Sequence, residues 1–125
     1  MLRTAPIVAF LGVRDLAAAR GFYEGRLDLA LAEATDFALV FDAAGTTLRV
    51  TRVPEVAAAP YTVAGWTVDD APATVRALAA RGVAFAEFDG VEQDADLIWR
   101  APGGALVAWF RDPDGNLLSL TQLPA

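Results

Sequence analysis

The sequence of 125 residues contains no cysteine and no histidine, and its ten basic residues are all arginine. The absence of cysteine excludes disulfides, thiolate metal sites and a cysteine nucleophile. The absence of histidine removes the commonest metal ligand and the only side chain that ordinarily titrates near neutral pH. Any general acid or base in this chain is therefore expected to be a carboxyl group.

Long hydrophobic runs are also missing, although 55% of the residues are hydrophobic and the mean hydropathy is +0.38. No segment approaches the roughly 18 to 20 unbroken apolar residues that span a membrane. Pro6, Arg14 and Asp15 leave no room for a signal-peptide core near the first residue, so we expect a cytoplasmic protein without a membrane partner. The net charge of −6 and the pI near 4.4 repel a phosphate backbone, which argues against nucleic-acid binding.

The chain divides nearly in half at residues 54–60, where two prolines bracket small residues. The two halves repeat a pattern at a constant offset of 55 positions, with Val8, Val13 and Asp15 recurring as Val63, Val68 and Asp70. In each half a short β-branched run leads into an alanine-rich helical pattern. An internal repeat of this kind predicts two copies of one structural unit.

Hydrophobic periodicity and capping residues give the expected elements of each half. The first half is predicted to have strands at 7–13, 30–34, 37–41 and 47–52, and a helix at 16–26 capped by Asp15. The second is predicted to have strands at 62–68, 83–88, 98–101, 105–111 and 117–122, with a helix that Asp69 or Asp70 caps and that stops at Gly82. Residues 90–96 are polar and acidic, and we expect a loop there. Each half is thus a βαβββ unit, and neither could bury its sheet alone.

Two motifs resemble the vicinal-oxygen-chelate superfamily, which includes glyoxalases, bleomycin-resistance proteins and extradiol dioxygenases. Val13-Arg14-Asp15-Leu16, followed by Gly21-Phe22-Tyr23 and Leu27-Asp28-Leu29, resembles the first strand and helix of that family. The segment 110–120, which contains Asp112-Pro113-Asp114-Gly115, resembles its closing hairpin. The resemblance covers essentially the whole chain.

The resemblance implies a fold of the α+β class, in which two βαβββ modules form an open, cupped β-barrel with the helices on the convex side. It implies a single glyoxalase-like domain over 1–125, with module 1 at about 1–53, a linker at 54–60 and module 2 at about 61–125. The site is expected on the concave face. A homodimer is also implied, in which the modules pair either within one chain or by swapping between two.

Metal-dependent members hold one ligand in the first and one in the last strand of each module. Carried over to this sequence, those positions are Val8, Arg49, Val63 and Ser119. Valine has no donor atom, arginine is a permanent cation, and a lone serine hydroxyl does not hold a divalent ion against water. The resemblance therefore implies a metal-free member without a cofactor, and it disfavours glyoxalase and dioxygenase chemistry that depends on a metal.

Strand alternation places further residues on the same face as these four positions. The expected ligand pocket is lined by Val8, Phe10, Thr47, Arg49, Val63, Thr67, Trp99, Ser119 and Thr121. Its mixture of hydroxyl groups and one cation is typical of a ligand cavity. The alternative is a filled barrel interior, in which threonine is present only because of its β-propensity.

Several single residues leave alternatives open. Arg49 either binds an anionic ligand or forms an internal ion pair with Asp42 or Glu33. Trp99 lies beside the acidic stretch 89–96 and is the preferred aromatic contact. Alternation assigns Trp66 to the helix side, whereas the face of Trp109 depends on a hairpin register that the sequence does not determine. We expect Tyr23 in the core, and Asp112 and Asp114 in a turn.

The first functional hypothesis is a metal-independent small-molecule-binding protein of the glyoxalase and bleomycin-resistance type, which sequesters an antibiotic or another toxic aromatic or organic compound. The second is a metal-free lyase, isomerase or related enzyme that uses Arg49 and a carboxylate in the concave pocket. A third is an accessory module, for which the sequence offers no partner-binding segment.

Overall fold

The computed structural model describes all residues from Met1 to Ala125. The chain forms two compact units, Met1–Ala57 and Ala58–Ala125, and the boundary between them falls inside the stretch 54–60 predicted as a linker. Each unit contains four strands in one sheet and one α-helix. Neither helix has the length and apolarity needed to cross a membrane.

The first unit is built from β1 (Val8–Val13), α1 (Leu16–Arg20), β2 (Ala30–Ala34), β3 (Ala38–Ala43) and β4 (Thr46–Arg52). The strand order in its sheet is β1-β4-β3-β2, with β1 parallel to β4 and the other pairs antiparallel. The helix is the crossover that parallel pairing of strands requires.

The second unit repeats this plan with β5 (Ala64–Thr67), α2 (Ala71–Ala80), β6 (Trp99–Arg100), β7 (Leu106–Arg111) and β8 (Leu117–Gln122). Its strand order is β5-β8-β7-β6, again with the first and last strands parallel. The α+β class and the two βαβββ modules predicted from the sequence are therefore confirmed.

Both helices begin at the predicted aspartates. Asp15 accepts hydrogen bonds through Oδ1 from the N–H groups of Ala17 and Ala18, at 2.9 and 3.1 Å. Asp70, rather than Asp69, caps α2 through a 3.0 Å bond from the Ala73 N–H. The predicted helix at 16–26 changes character at Gly21, where a π-helical turn over Gly21–Arg26 follows α1. Each cap satisfies amide donors that a helix start otherwise leaves unpaired.

One face of each sheet packs against the helix of its own unit. In the first unit this face and the helix bury Leu11, Val13, Ala19, Phe22, Tyr23, Leu39, Phe41, Leu48 and Val50. Tyr23 contacts Phe22 edge-on at 5.1 Å between ring centroids, which confirms its place in the core. In the second unit Trp66 stacks on the buried Phe110 at 6.2 Å, so the assignment of Trp66 to the helix side is also confirmed.

The predicted strand at 83–88 is wrong. Only an isolated bridge between Phe85 and Phe110 forms there, together with a bond from the Ala86 N–H to the Trp109 carbonyl. The reason is the side chain of Gln93, which accepts from the Phe88 N–H at 2.8 Å and donates to the carbonyls of Ala86 and Leu97 at 3.0 and 2.9 Å. A side-chain amide satisfies the backbone groups that a neighbouring strand would otherwise pair.

The predicted loop at 90–96 is a tightly bonded segment. Asp94 Oδ1 accepts from the N–H groups of Asp96 and Ile98, at 2.9 and 3.0 Å. The predicted strand at 98–101 is reduced to Trp99–Arg100, because Gly103 and Gly104 turn the chain with φ of +94° and +100°. The loop therefore ends in a very short edge strand that carries Trp99.

The predicted aspartate turn in the last hairpin is confirmed. The buried Asp112 accepts through Oδ1 from the N–H groups of Asp114 and Asn116, at 3.0 and 2.9 Å, and through Oδ2 from Asn116 Nδ2 at 2.8 Å. These bonds tie the carboxylate to the turn between β7 and β8.

Gly65 of β5 and Ser119 of β8 face each other in the parallel register. A Cβ atom added to Gly65 would lie 2.5 Å from Ser119 Oγ and 3.2 Å from the Ser119 carbonyl oxygen. Only glycine leaves room for the serine hydroxyl at this point.

Replacing Gln93 by alanine is expected to lower the free energy of unfolding by about 1–3 kcal/mol, because three backbone groups lose their partner. Urea denaturation of the purified variant measures this change. Glu92→Ala is the matched control, since it alters an exposed neighbour and should stay within about 0.5 kcal/mol of the parent. Equal stability of Gln93→Ala and the parent would show that the Gln93 amide does not hold the loop.

Gly65→Ala is expected to destabilise the protein by about 1–3 kcal/mol, since the new methyl group forces Ser119 to move. Adding Ser119→Ala should recover part of this loss, because the 2.5 Å contact disappears while the 3.2 Å contact with the backbone remains. A double-mutant cycle by chemical denaturation gives the coupling. As a control, Gly21→Ala has nothing within 4 Å of its added Cβ and should leave stability equal or slightly higher.

Candidate functional site

Each sheet has a second face, opposite its helix, that we call the open face of that unit. In the first unit the open face carries Val8, Phe10, Thr47 and Arg49, as strand alternation predicts. Phe10 is 65% exposed and Val8 is 43% exposed, so this face presents apolar side chains to solvent. Large exposed apolar side chains that share one face are typical of a binding surface.

Arg49 lies at the centre of this open face. The strand registers place Phe10 beside it on β1, and Val40 and then Glu33 beyond it on β3 and β2. The guanidinium is half-buried and forms neither an ion pair nor a hydrogen bond in the structure. Of the two alternatives for Arg49, the internal ion pair with Asp42 or Glu33 is thus not formed.

Asp42 and Thr51, two polar residues on the same face as Arg49, differ in their hydrogen bonding. Asp42 faces Thr47 in the register, and its Oδ1 accepts a 2.9 Å hydrogen bond from the Gly45 N–H in the turn after β3. Thr51 Oγ1 is buried and has no hydrogen-bond partner. The open face of the first unit therefore contains one cation and one hydroxyl group without an internal partner.

The open face of the second unit is aromatic. The register pairs Trp109 with Ser119 and Val107 with Thr121, which settles the face of Trp109 that the sequence left open. Trp99 lies opposite Val107 on the neighbouring edge strand. The Trp99 and Trp109 rings stack at 5.9 Å with an interplanar angle of 28°, and Phe88 meets Trp109 edge-on at 5.4 Å. We call Phe88, Trp99 and Trp109 the aromatic cluster.

Beyond the aromatic cluster, the open face of the second unit carries hydroxyl side chains and the apolar side chain of Val63. Ser119 lies between Gly65 and Trp109 across the sheet, and Thr67 faces Thr121. Val63 is 39% exposed, and its N–H donates to the Leu117 carbonyl just before β5. The predicted residues of the second unit are therefore brought onto one face.

A cavity of about 430 Å³ lies beside the aromatic cluster. It is lined by Glu92, Gln93, Asp94, Ile98, Trp99, Arg100 and Leu106. Trp99 and Leu106 give it apolar walls, while Glu92 and Asp94 bring carboxylates. The side-chain hydrogen bonds of Gln93 and Asp94 order the loop that lines the cavity, so the cavity is formed without a ligand.

An ion pair links the loop beside this cavity to α2. Arg76 Nη2 on α2 lies 2.9 Å from Asp96 Oδ2. The hydrogen bond and the charge of Asp96 raise the pKa of Arg76 above its usual range. Because the Arg76 side chain is largely exposed, this pair contributes little to stability and chiefly links the loop to the helix.

Sequence reasoning missed Phe88, Gln93 and Trp109 as parts of this site. Phe88 was placed in a strand that does not form, and Gln93 was one polar residue of a predicted loop. One feature of the sequence could have pointed to Gln93 as part of the site. It lies about midway between two aromatic residues, Phe88 and Trp99, in a segment otherwise rich in carboxylates. Trp109 required the hairpin register, which the Asp112 turn determines.

Solved structures of similar fold cover nearly the whole chain. A bleomycin resistance determinant encoded on transposon Tn5 has 22% identity and a TM-score of 0.75, with 98% of this chain and 100% of that chain covered. A glyoxalase/bleomycin resistance protein from Catenulispora acidiphila has 21% identity and a TM-score of 0.72, covering 95% and 98%. A lactoylglutathione lyase from Agrobacterium tumefaciens has 19% identity and a TM-score of 0.70, covering 95% and 93%. At these identities the similarity establishes the fold alone.

Comparison with curated proteins gave no match. The sequence model of the Glyoxalase/Bleomycin resistance protein/Dioxygenase superfamily, however, matches residues 5–120. That match includes both βαβββ modules and the two motifs on which the resemblance was based. The chain therefore belongs to the glyoxalase/bleomycin resistance protein/dioxygenase superfamily.

Proposed function

We propose that this protein binds a small organic ligand without a metal, in the manner of a resistance protein that sequesters an antibiotic or another toxic aromatic compound. The observation that carries the proposal is the stacked pair of Trp99 and Trp109 on the open face of the second unit. Both rings are half-buried, so part of their surface is available to a ligand.

The aromatic cluster suits a flat ligand. Stacking on an indole ring contributes about 0.5–1.5 kcal/mol beyond the burial of apolar area. The Ser119 hydroxyl, next to Trp109 in the register, provides a donor and an acceptor that orient the ligand. This combination of apolar surface with a few polar groups is typical of small-molecule sites.

The charge around the cavity favours a ligand with a cationic group. The loop beside Trp99 carries five carboxylates, at Glu87, Asp89, Glu92, Asp94 and Asp96. Arg76 neutralises Asp96, whereas Glu92 lines the cavity and is exposed. A cation near Glu92 gains from its carboxylate and from the face of Trp99.

The open face of the first unit offers its own proposed contacts, with Arg49 at the centre. The Arg49 guanidinium has no internal partner and is therefore able to bind a carboxylate or another acceptor. Phe10, next to Arg49 in the register, adds an exposed apolar surface. The proposed ligand contacts are Val8, Phe10, Thr47 and Arg49 on the open face of the first unit, and Val63, Thr67, Trp99, Ser119 and Thr121 on the open face of the second.

The proposal is metal-independent because the residues do not fit a metal. The positions that hold ligands in metal-dependent relatives carry Val8, Arg49, Val63 and Ser119, which provide no carboxylate and no imidazole. Nowhere in the structure do three or more His, Cys, Asp or Glu side chains gather to hold an ion. A guanidinium at one of these positions also repels a divalent cation.

We further propose that the protein acts as a cytoplasmic homodimer. The exposed apolar side chains of Ile7 and Leu123, which are not among the proposed ligand contacts, support a dimer, since a partner copy would shield them from water.

A metal-free enzyme is the second candidate. It is favoured by the position of Arg49 on the same open face as Asp42 and Glu33, as the strand registers require. In that role Arg49 would stabilise developing negative charge while a carboxylate accepts a proton. Chemical conversion of a bound ligand during titration would favour this candidate over sequestration.

Bleomycin is the first probe, and its binding is expected to quench tryptophan fluorescence because the aromatic cluster contains two of the three tryptophans. Trp109→Leu should weaken binding by about tenfold or more, which corresponds to about 1.4 kcal/mol. Isothermal titration calorimetry measures both affinities.

Trp66→Phe is the matched control for this titration, since Trp66 packs against Phe110 on the opposite face. It should leave the affinity unchanged. Equal losses in Trp66→Phe and Trp109→Leu would contradict binding at the aromatic cluster, and the absence of any quenching or heat would contradict bleomycin as a ligand.

Metal removal provides an independent test. Protein dialysed against EDTA and then incubated separately with Zn²⁺, Mn²⁺ or Ni²⁺ is expected to retain the same melting temperature, because an ion that does not bind the native state does not stabilise it. Differential scanning calorimetry and elemental analysis measure the two quantities. One tightly held ion per chain, together with a raised melting temperature, would refute metal independence.

A further inference from the structure

A second cavity, of about 430 Å³, lies in the first unit away from its open face. It is lined by Arg14, Phe37, Arg52, Val53 and Pro54. Strand alternation places Arg52 on the side of β4 opposite Arg49, at the end of the strand. No carboxylate lines this cavity, although the protein as a whole carries a net charge of −6. Arginine side chains at a cavity without carboxylates give it a positive charge.

Backbone hydrogen bonds hold the three lining segments together. The Arg52 N–H donates to the Phe37 carbonyl at 2.8 Å, and the Val53 N–H donates to the Val13 carbonyl at 2.8 Å, one residue before Arg14. Thr35 Oγ1 accepts from the N–H groups of Phe37 and Ala38, both at 3.1 Å, and so fixes the turn that carries Phe37. The cavity is therefore built before a ligand arrives, which lowers the entropic cost of binding.

The side chains at this cavity combine charge with flat apolar surface. Phe37 is 67% exposed although its turn is rigid, and Arg52 Cζ lies 5.7 Å from the centre of its ring. This cation-π contact positions the Arg52 guanidinium. No ion pair or hydrogen bond of that guanidinium is present in the structure, so its N–H groups remain available. Arg14 adds a second positive charge at the same cavity.

We propose that this cavity is a binding site for a small organic anion, specifically a carboxylate on an aromatic body. The carboxylate binds the Arg52 guanidinium, whose planar fork matches two carboxylate oxygens, and the charge of Arg14 reinforces this contact. The aromatic body packs against Phe37, Val53 and Pro54. The site is separate from the open faces and does not depend on the function proposed for them.

Benzoate is the probe, added to uniformly ¹⁵N-labelled protein while amide chemical shifts are followed. We expect saturable shifts at residues 13–14, 35–38 and 52–54, with a dissociation constant of roughly 1 mM, as a ligand of this size allows. Acetate tests the anion alone and benzyl alcohol tests the ring alone. Each should bind at least about tenfold more weakly than benzoate, because each loses one of the two contacts.

Substitutions of single arginines test where benzoate binds. Arg52→Gln should weaken benzoate binding by about tenfold or more, and Arg52→Lys should be intermediate, because lysine keeps the charge but not the planar fork. Arg3→Gln removes the same charge from an exposed position and should change the affinity by less than about twofold, since salt screens distant charges. Shifts at residues 47–49 would report any separate binding at the open face, and the Arg49→Gln variant distinguishes them from the shifts at residues 13–14, 35–38 and 52–54.

Several results would overturn the proposal. Benzoate-induced shifts confined to residues 47–49 and abolished by Arg49→Gln would place binding on the open face instead. Equal affinities for acetate and benzoate, or equal effects of Arg3→Gln and Arg52→Gln, would also contradict the proposal. So would the absence of any saturable shift. The comparison of benzoate with acetate and benzyl alcohol uses the parent protein, so the test does not depend on the folding of any variant.

Discussion

The parallel pairing of the first and last strands of each unit is the constraint on which the rest of the structure depends. It joins β1 to β4 and β5 to β8, with Phe10 opposite Arg49 and Gly65 opposite Ser119. A parallel pair needs a long crossover connection, and in each unit this connection begins with a helix that covers one face of the sheet. The other face is thereby left open. The position of every candidate site residue on these four strands follows from that register.

Corresponding positions in the strand registers of the two units hold different types of residue. In the first, the bulky Phe10 stands beside the cation Arg49, whereas in the second Gly65 makes room for the hydroxyl of Ser119. One step further across each sheet, Val40 in the first unit corresponds to Trp109 in the second. The two units thus share one strand arrangement, while the open face is cationic in the first unit and aromatic in the second.

Sequence reasoning succeeded where capping and alternation determine the structure and failed where a side chain outside the segment takes its backbone hydrogen bonds. The caps at Asp15 and Asp70 and the alternation along β1, β4 and β8 are local signals, and the structure follows them. The segment 83–88 has the alternation of a strand, but the Gln93 side chain occupies the groups that would pair. The cavity of Arg14, Phe37 and Arg52 joins three separate segments, so no single stretch of sequence reveals it.

The role of Gln93 bears on how the cavity beside the aromatic cluster is built. The edge strand β6 has only two residues, and the Gln93 amide bonds to backbone groups of Ala86, Phe88 and Leu97 in the segment before it. Gln93 also bridges to Trp99 through the backbone. The loop therefore sets one wall of the cavity beside the aromatic cluster, to which the sheet contributes Trp99, Arg100 and Leu106. Loops accept substitutions more readily than strands do, so substitutions in the acidic loop can reshape this cavity while the paired strands β5 and β8 keep Ser119 in place.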